Sequence, residues 1–180
     1  MEDLTRSDAA ARVDLYSSVH KGLRAFMSDT LARVGRTDPD DAEELAACLA
    51  QVRDLVTVCR VHLDDENRFV HPAIEARSPG SSAAIALEHV HHEQALDALA
   101  ARVGEASVAD RPAPILAQLY RDLARFIAEN FEHMQEEETH HNALLWSAYT
   151  DRELLEVHDA LVASIPPDVM AIFLRWMIPR

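Results

Sequence analysis

An all-α fold is what this sequence predicts, and three features predict it. Only four glycines interrupt 180 residues, no stretch alternates apolar and polar side chains as a half-buried strand does, and Ala, Leu, Glu and Arg fill the long segments. Helix propensity and helix-period patterning therefore agree. Long helices with short connections predict an up-down-up-down four-helix bundle, followed by two additional short C-terminal helices. A hydrophobic content of 48% suffices for a core in a chain of this length. One domain is expected over residues 1–180, with the bundle at about 8–147 and the helical extension at about 150–180.

The first helix is expected from about Asp8 to Val34, with an inner stripe of Tyr16, His20, Leu23 and Met27 at alternating three and four spacing, and Gly35 ending it. The second starts at Asp38-Pro39-Asp40-Asp41, where an Asp cap, a Pro at the first helical position and acids in the first turn favour initiation. Its inner face runs Leu45, Leu49, Val52, Val56, Cys59, His62, Glu66, Phe69, and it should stop or kink before His71-Pro72. After a Ser-Pro-Gly-Ser-Ser loop, the third helix is expected over Ala83 to Val103, with Ile85, His89, His92, Leu96 and Leu99 inward. The fourth runs from about Ile115 to Trp146 along Leu119, Leu123, Phe126, Asn130, His133, Glu137 and then His140 or His141. A Thr150-x-x-Glu153 capping box and Pro166-Pro167 open the two short helices of the tail.

Seventeen basic residues against thirty-one acidic ones give a net charge of −14, which repels nucleic acid phosphates and anionic lipid. The N-terminal residues lack a basic segment followed by an apolar run, so no signal peptide is expected and the cytoplasm is the expected location. The most apolar stretch, Val169 to Ile178, carries Arg175 and is about half the roughly 20 residues that a membrane span needs. Its Phe173, Trp176 and Met177 suit a cap on the bundle or a homodimer contact. Cys48 and Cys59 lie on one expected helix, about 16 Å apart along its axis. That is too far for a disulfide, so both read as reduced, buried thiols.

The chemistry lies where each inner stripe meets a histidine. The pairs His62-x-x-x-Glu66 and His133-x-x-x-Glu137 put an imidazole and a carboxylate one turn apart on the same face, with His20 and His89 facing them from the other two helices. Such groups in an apolar core cost several kcal/mol per charge unless something neutralises them, and a pair of cations does so directly. Imidazole with carboxylate suits iron, and also zinc or manganese, and two carboxylates from opposite helices can each bridge two metals. His71, His91 and His158 fall off the stripes and read as solvated or capping, and of Glu136, Glu137 and Glu138 only Glu137 has the inward phase. Tyr16 reads as core packing, while His140 and His141 are placed to hydrogen-bond the Glu137 carboxylate from outside the ligand set.

Ferritin-like bundles use Glu-x-x-His, whereas here histidine precedes glutamate by four. The order resembles the hemerythrin or HHE cation-binding family, as do HLDDENRFVHPAIEAR, VHKGLRAFM, LEHVHHEQALDAL, HMQEEE and ASIPPDVMAIFLRWMIP. The likeness covers nearly the whole chain and is nearest to a bacterial single-domain branch with extra C-terminal helices. It implies terminal ligands at His20, His62, His89 and His133, and bridging by Glu66 and Glu137 of two iron ions that also share an oxo or hydroxo group. Hemerythrins proper carry two histidines four apart on the third helix. Here Glu93 stands four after His89 and His92 three after it, and either is a candidate for the additional ligand. The resemblance implies binding or reduction of dioxygen or peroxide, in oxygen or redox handling or sensing. A di-iron oxygenase or oxidase of a small organic substrate and a metal-stabilised structural or iron-responsive module are the alternatives.

Overall fold

The structure, a computed structural model, describes residues 12–178. The four long helices are α1 (Ser17–Arg36), α2 (Ala42–Asp65), α4 (Ala83–Val108) and α5 (Ala113–Glu136), and four shorter ones are α3 (His71–Arg77), α6 (Asn142–Ala148), α7 (Asp151–Ser164) and α8 (Pro167–Met177). Among the described residues there is no strand. The long helices form a ring in which α1 and α4 each pack against both α2 and α5.

The expected start of the first helix at Asp8 lies outside the described residues, and residues 12–16 are not helical. Asp14 sets the actual start by accepting hydrogen bonds from Tyr16 N and Ser17 N, both at 2.9 Å. The second helix begins later than expected, because Asp41 rather than Asp38 caps it, accepting from Glu43 N and Glu44 N at 3.0 Å. Gly104 does not end the third helix, which runs on to Val108. The capping box at Thr150 and the start at Pro167 stand as expected.

The expected break at His71-Pro72 is absorbed instead of ending the helix. A π-helical turn, Glu66–Val70, joins α2 to α3, and His71 N donates to Glu66 O across it. A second π-helical turn, Glu137–His141, joins α5 to α6 in the same way. Pro72, which has no N–H to give, sits in the first turn of α3, directly after the widened turn.

The buried apolar residues form two clusters, the larger mainly on the four long helices and the smaller on the segments that adjoin them. The larger holds Leu23, Met27, Leu49, Val52, Leu96, Leu99, Leu119, Leu123 and Phe126, and the smaller holds Tyr16, Val70, Ile74, Leu145 and Leu154. The tail returns onto the bundle. Trp176 stacks on Phe26 with ring centroids 4.5 Å apart, and α8 lies so close to α1 that a Cβ on Gly22 would stand 2.8 Å from Met177 Cγ. Phe173, Trp176 and Met177 thus pack against the bundle. Among the described residues no single helix is long and apolar enough to cross a membrane, and α7 and α8 meet at 117°. Cys48 and Cys59 are buried and unpaired, and burial pushes the Cys59 thiol up to about 12.

Candidate metal centre

Both π-helical turns begin on the glutamate of a His-x-x-x-Glu pair. The α-helical turn before each brings His62 over Glu66 and His133 over Glu137, and the wider turn after each changes which residues next face inward. His71 and Val70 follow Glu66 into the interior, and His141 and Asn142 follow Glu137. Asn142 Nδ2 donates to Asp14 Oδ1 at 2.9 Å, tying the second turn to the segment that starts α1 and so to Tyr16 and His20.

Two groupings share both carboxylates. His20, His62, Glu66 and Glu137 form one, and Glu66, His89, His133 and Glu137 the other, each with ligand atoms within 4.8 Å of one another. In the first, His20 Nε2 and His62 Nε2 face each other at 3.2 Å, and they stand 3.5 Å from Glu137 Oε2 and 3.3 Å from Glu66 Oε1, respectively. In the second, His89 Nε2 and His133 Nε2 are 3.0 Å apart, with Glu66 Oε2 at 3.6 Å from the former and Glu137 Oε1 at 3.4 Å from the latter. Two ligands on bonds of roughly 2.1 Å stand about 3.0–3.4 Å apart at octahedral or tetrahedral angles, so both groupings have nearly the spacing of a coordination sphere.

The electrostatics agree with that use. All four carboxylate oxygens are buried without a hydrogen-bond partner. Burial, with repulsion from Glu137, pushes Glu66 well above the usual carboxylate range. Burial alone would also raise Glu137, but His133 and His89 beside it hold it well below that range. Desolvation lowers His20, and lowers His62 much further, favouring the neutral imidazole that a metal requires. Burial works against charge on His133 too, but Glu137 and Glu88 outweigh it and raise the group. Oxygen and nitrogen donors without thiolate, and two buried carboxylates whose oxygens find no hydrogen-bond partner, fit iron, zinc or manganese cations.

Three outer partners orient the imidazoles. Asn67 Oδ1 faces His89 Nδ1 at 2.8 Å, Glu88 Oε2 faces His133 Nδ1 at 2.8 Å, and Glu138 Oε1 faces His20 Nδ1 at 3.1 Å. Glu138, expected on a solvated face, is instead partly buried and also held by Arg24. Each of the three is the chain neighbour of an inward-facing Glu or His and reaches across to a different helix. Adjacency to a site residue was the available signal, and the partner depends on packing between helices.

His20, His62, Glu66, His89, His133 and Glu137 are brought together. Glu93 is not: it is exposed on α4, because the inward stripe steps three residues from His89 to His92 and then four to Leu96. His92 is buried with its ring 4.8 Å from that of His133, belongs to neither grouping, and is pushed down to about 4 by burial. His71, expected to be solvated, is 6% exposed and forms a third grouping with Glu137 and His141, since the wide turn rotates it inward. His141 is buried while His140, His91 and His158 are exposed. Tyr16 is packed in the smaller cluster, with its hydroxyl 3.3 Å from His141 Nδ1.

Two openings approach the centre. A cleft of about 620 Å³ between α4 and α5 reaches His92, His133 and His141 past Glu88, Glu129, Glu132 and Glu136. A more apolar cavity of about 200 Å³ lies against His62 and Glu66 from the side of α1, α7 and α8. The hemerythrin HHE cation-binding domain family matches residues 12–163, whereas no curated protein matches the chain.

Proposed function

Because the chain belongs to the hemerythrin HHE cation-binding family, we propose that it holds two iron ions and uses them to bind or reduce dioxygen or peroxide, in oxygen or redox handling or sensing. The observation that carries this reading is that two histidine pairs, each on its own side, share the same two buried carboxylates. His20 and His62 would hold one ion, His89 and His133 the other, and Glu66 and Glu137 would bridge them. An iron pair bound there supplies two electrons and a position for a small oxygen species. The chain contributes the rest. Apolar clusters on either side keep bulk water away, Asn67, Glu88 and Glu138 fix the imidazole orientations, and the acidic rim of the α4–α5 cleft favours entry of neutral molecules over anions.

The test is metal analysis with an optical spectrum on protein from iron-replete cells, before and after reduction and re-exposure to air. Two irons per chain and a charge-transfer band that bleaches and returns are expected. Zinc, substoichiometric metal, or a spectrum indifferent to air defeats the proposal, and a chelator-sensitive melting temperature alone would point to a structural module.

The apolar cavity against His62 and Glu66 favours a second reading, oxidation of a small organic substrate held there. Oxygen uptake stimulated by a member of a panel of small apolar substrates would support it, and no stimulation across the panel would sink it.

A further inference from the structure

Three buried groups beside the two carboxylates have no part in the reading above. His71 Nε2 and His141 Nε2 lack any hydrogen-bond partner, and the two residues form with Glu137 a grouping in which one ligand atom from each lies within 4.8 Å of the others. The third is Tyr16, 1% exposed, whose hydroxyl meets His141 Nδ1 at 3.3 Å.

By donor type alone, His71, Glu137 and His141 would suit another cation, but the hydrogens argue otherwise. A phenol keeps its proton at neutral pH. Among the described residues the Tyr16 hydroxyl has His141 Nδ1 as its hydrogen-bond partner, so it donates there. A neutral imidazole accepting at Nδ1 carries its hydrogen at Nε2. His141 Nε2 therefore carries an N–H, not a lone pair, and that N–H is buried without a partner. A third cation would also have to share Glu137, whose oxygens already face His20, His89 and His133. A buried N–H without an acceptor is costly, which leaves a place for an acceptor that arrives from outside. The α4–α5 cleft reaches His141 and His133 together.

We propose that His71 and His141 form the polar wall of a ligand pocket beside Glu137 and hold a small oxygen species there by hydrogen bonds, with Tyr16 fixing the donor state of His141. The proposal rests on the dinuclear reading. His71 stacks on His89 with ring centroids 4.8 Å apart and stands edge-on to His141 at 5.7 Å, so both rings are held in place before a ligand enters.

The experiment uses iron-loaded protein with azide as the probe, followed by optical titration, with iron content and melting temperature measured on the same samples. The double variant His71→Leu/His141→Leu is expected to keep two irons and to bind azide at least about tenfold more weakly. His141→Gln, which still offers an N–H, should retain most of the affinity, and Tyr16→Phe should lose about threefold. Unchanged azide affinity in the double variant at equal iron content overturns the pocket. So does a wild-type chain that takes up three metals and a double variant that takes up two, which would assign a third cation site. If the double variant loses iron, the single substitutions decide: weakening in His141→Gln with none in Tyr16→Phe overturns the proposal. A wild-type chain that takes up no iron overturns the dinuclear reading and this one with it, whereas two irons with indifferent azide binding overturns this one alone.

Discussion

The two π-helical turns have nearly the same backbone and opposite acid–base character. In the first, Glu66 is pushed up by burial and by Glu137, and it is followed inward by Val70 and His71. In the second, Glu137 is held down by the imidazoles around it, and His141 and Asn142 follow it. The turn geometry places a carboxylate between the helices, but its neighbours decide whether that carboxylate carries a charge before any metal arrives. Glu137 takes part in all three groupings of candidate ligands, whereas Glu66 takes part in two. The second turn is therefore the electrostatic anchor of the site, and the first completes it.

The largest effect expected from that asymmetry is in metal content. Glu137→Ala should leave less than one ion per chain and bring the melting temperature to that of chelated wild-type protein, since metal binding is folding free energy. Glu66→Ala should retain more metal under the same dialysis. Equal loss from both, measured by elemental analysis, would confine the asymmetry to protonation and remove the anchor role of Glu137.

A second contrast is available without metal. Replacing Glu137 by Gln in the apoprotein removes a charge that His133 and His89 stabilise, and should cost about 2 kcal/mol. Glu66→Gln replaces a carboxyl that burial already pushes toward its neutral form, and should change stability by no more than about 0.5 kcal/mol. Denaturant unfolding of the two apoproteins separates these outcomes, and equal destabilisation would break the comparison.

Smaller still are the effects of the outer partners. Asn67 and Glu88 both face an Nδ1 at 2.8 Å, but the Glu88 side chain is 50% exposed. Asn67→Ala should weaken metal binding by about tenfold, within the range known for such partners, and Glu88→Ala by less because water can replace it. Competition against a chelator of known affinity gives both numbers, and a larger loss at Glu88 would show that its charge matters more than its geometry.

Much of this was legible in the sequence, and what was not has a physical cause. The stripes of α2 and α5 show His62, Glu66, His133 and Glu137 because three-and-four spacing holds without interruption up to each glutamate. It fails just beyond, where a π-helical turn adds a residue and rotates His71 inward, and a regular helical period cannot show that. Pro72 was a visible sign of an irregularity there, although it suggested a break and not a widened turn. Glu93 was drawn in by a four-residue template where the α4 stripe takes a three-residue step to His92. Asn67, Glu88 and Glu138 each adjoin a site residue in the chain, but which imidazole each meets depends on how neighbouring helices are set against one another, and a single helix's pattern does not contain that.

The position that follows each turn also differs in a residue that titrates in the range of mild acid. His71 is held down to about 4 by burial and by neighbouring His89 and His141, against an ordinary value of 6.5, while its counterpart Asn142 does not titrate. Between those values the unfolded chain binds a proton at His71 that the folded apoprotein does not, so stability rises with pH through this window and is lost as pH falls from 6.5 toward 4. His71→Asn puts at this position the residue that follows the second turn and should flatten this dependence, with the variant losing about 1 kcal/mol less than wild type between neutral pH and mild acid. The other histidines are the same in both proteins, so the difference between the two pH profiles belongs to His71 and to whatever its ring does to its neighbours. Parallel profiles would mean that the folded apoprotein admits the proton at His71, and that the interior of the first turn is no drier than its surface.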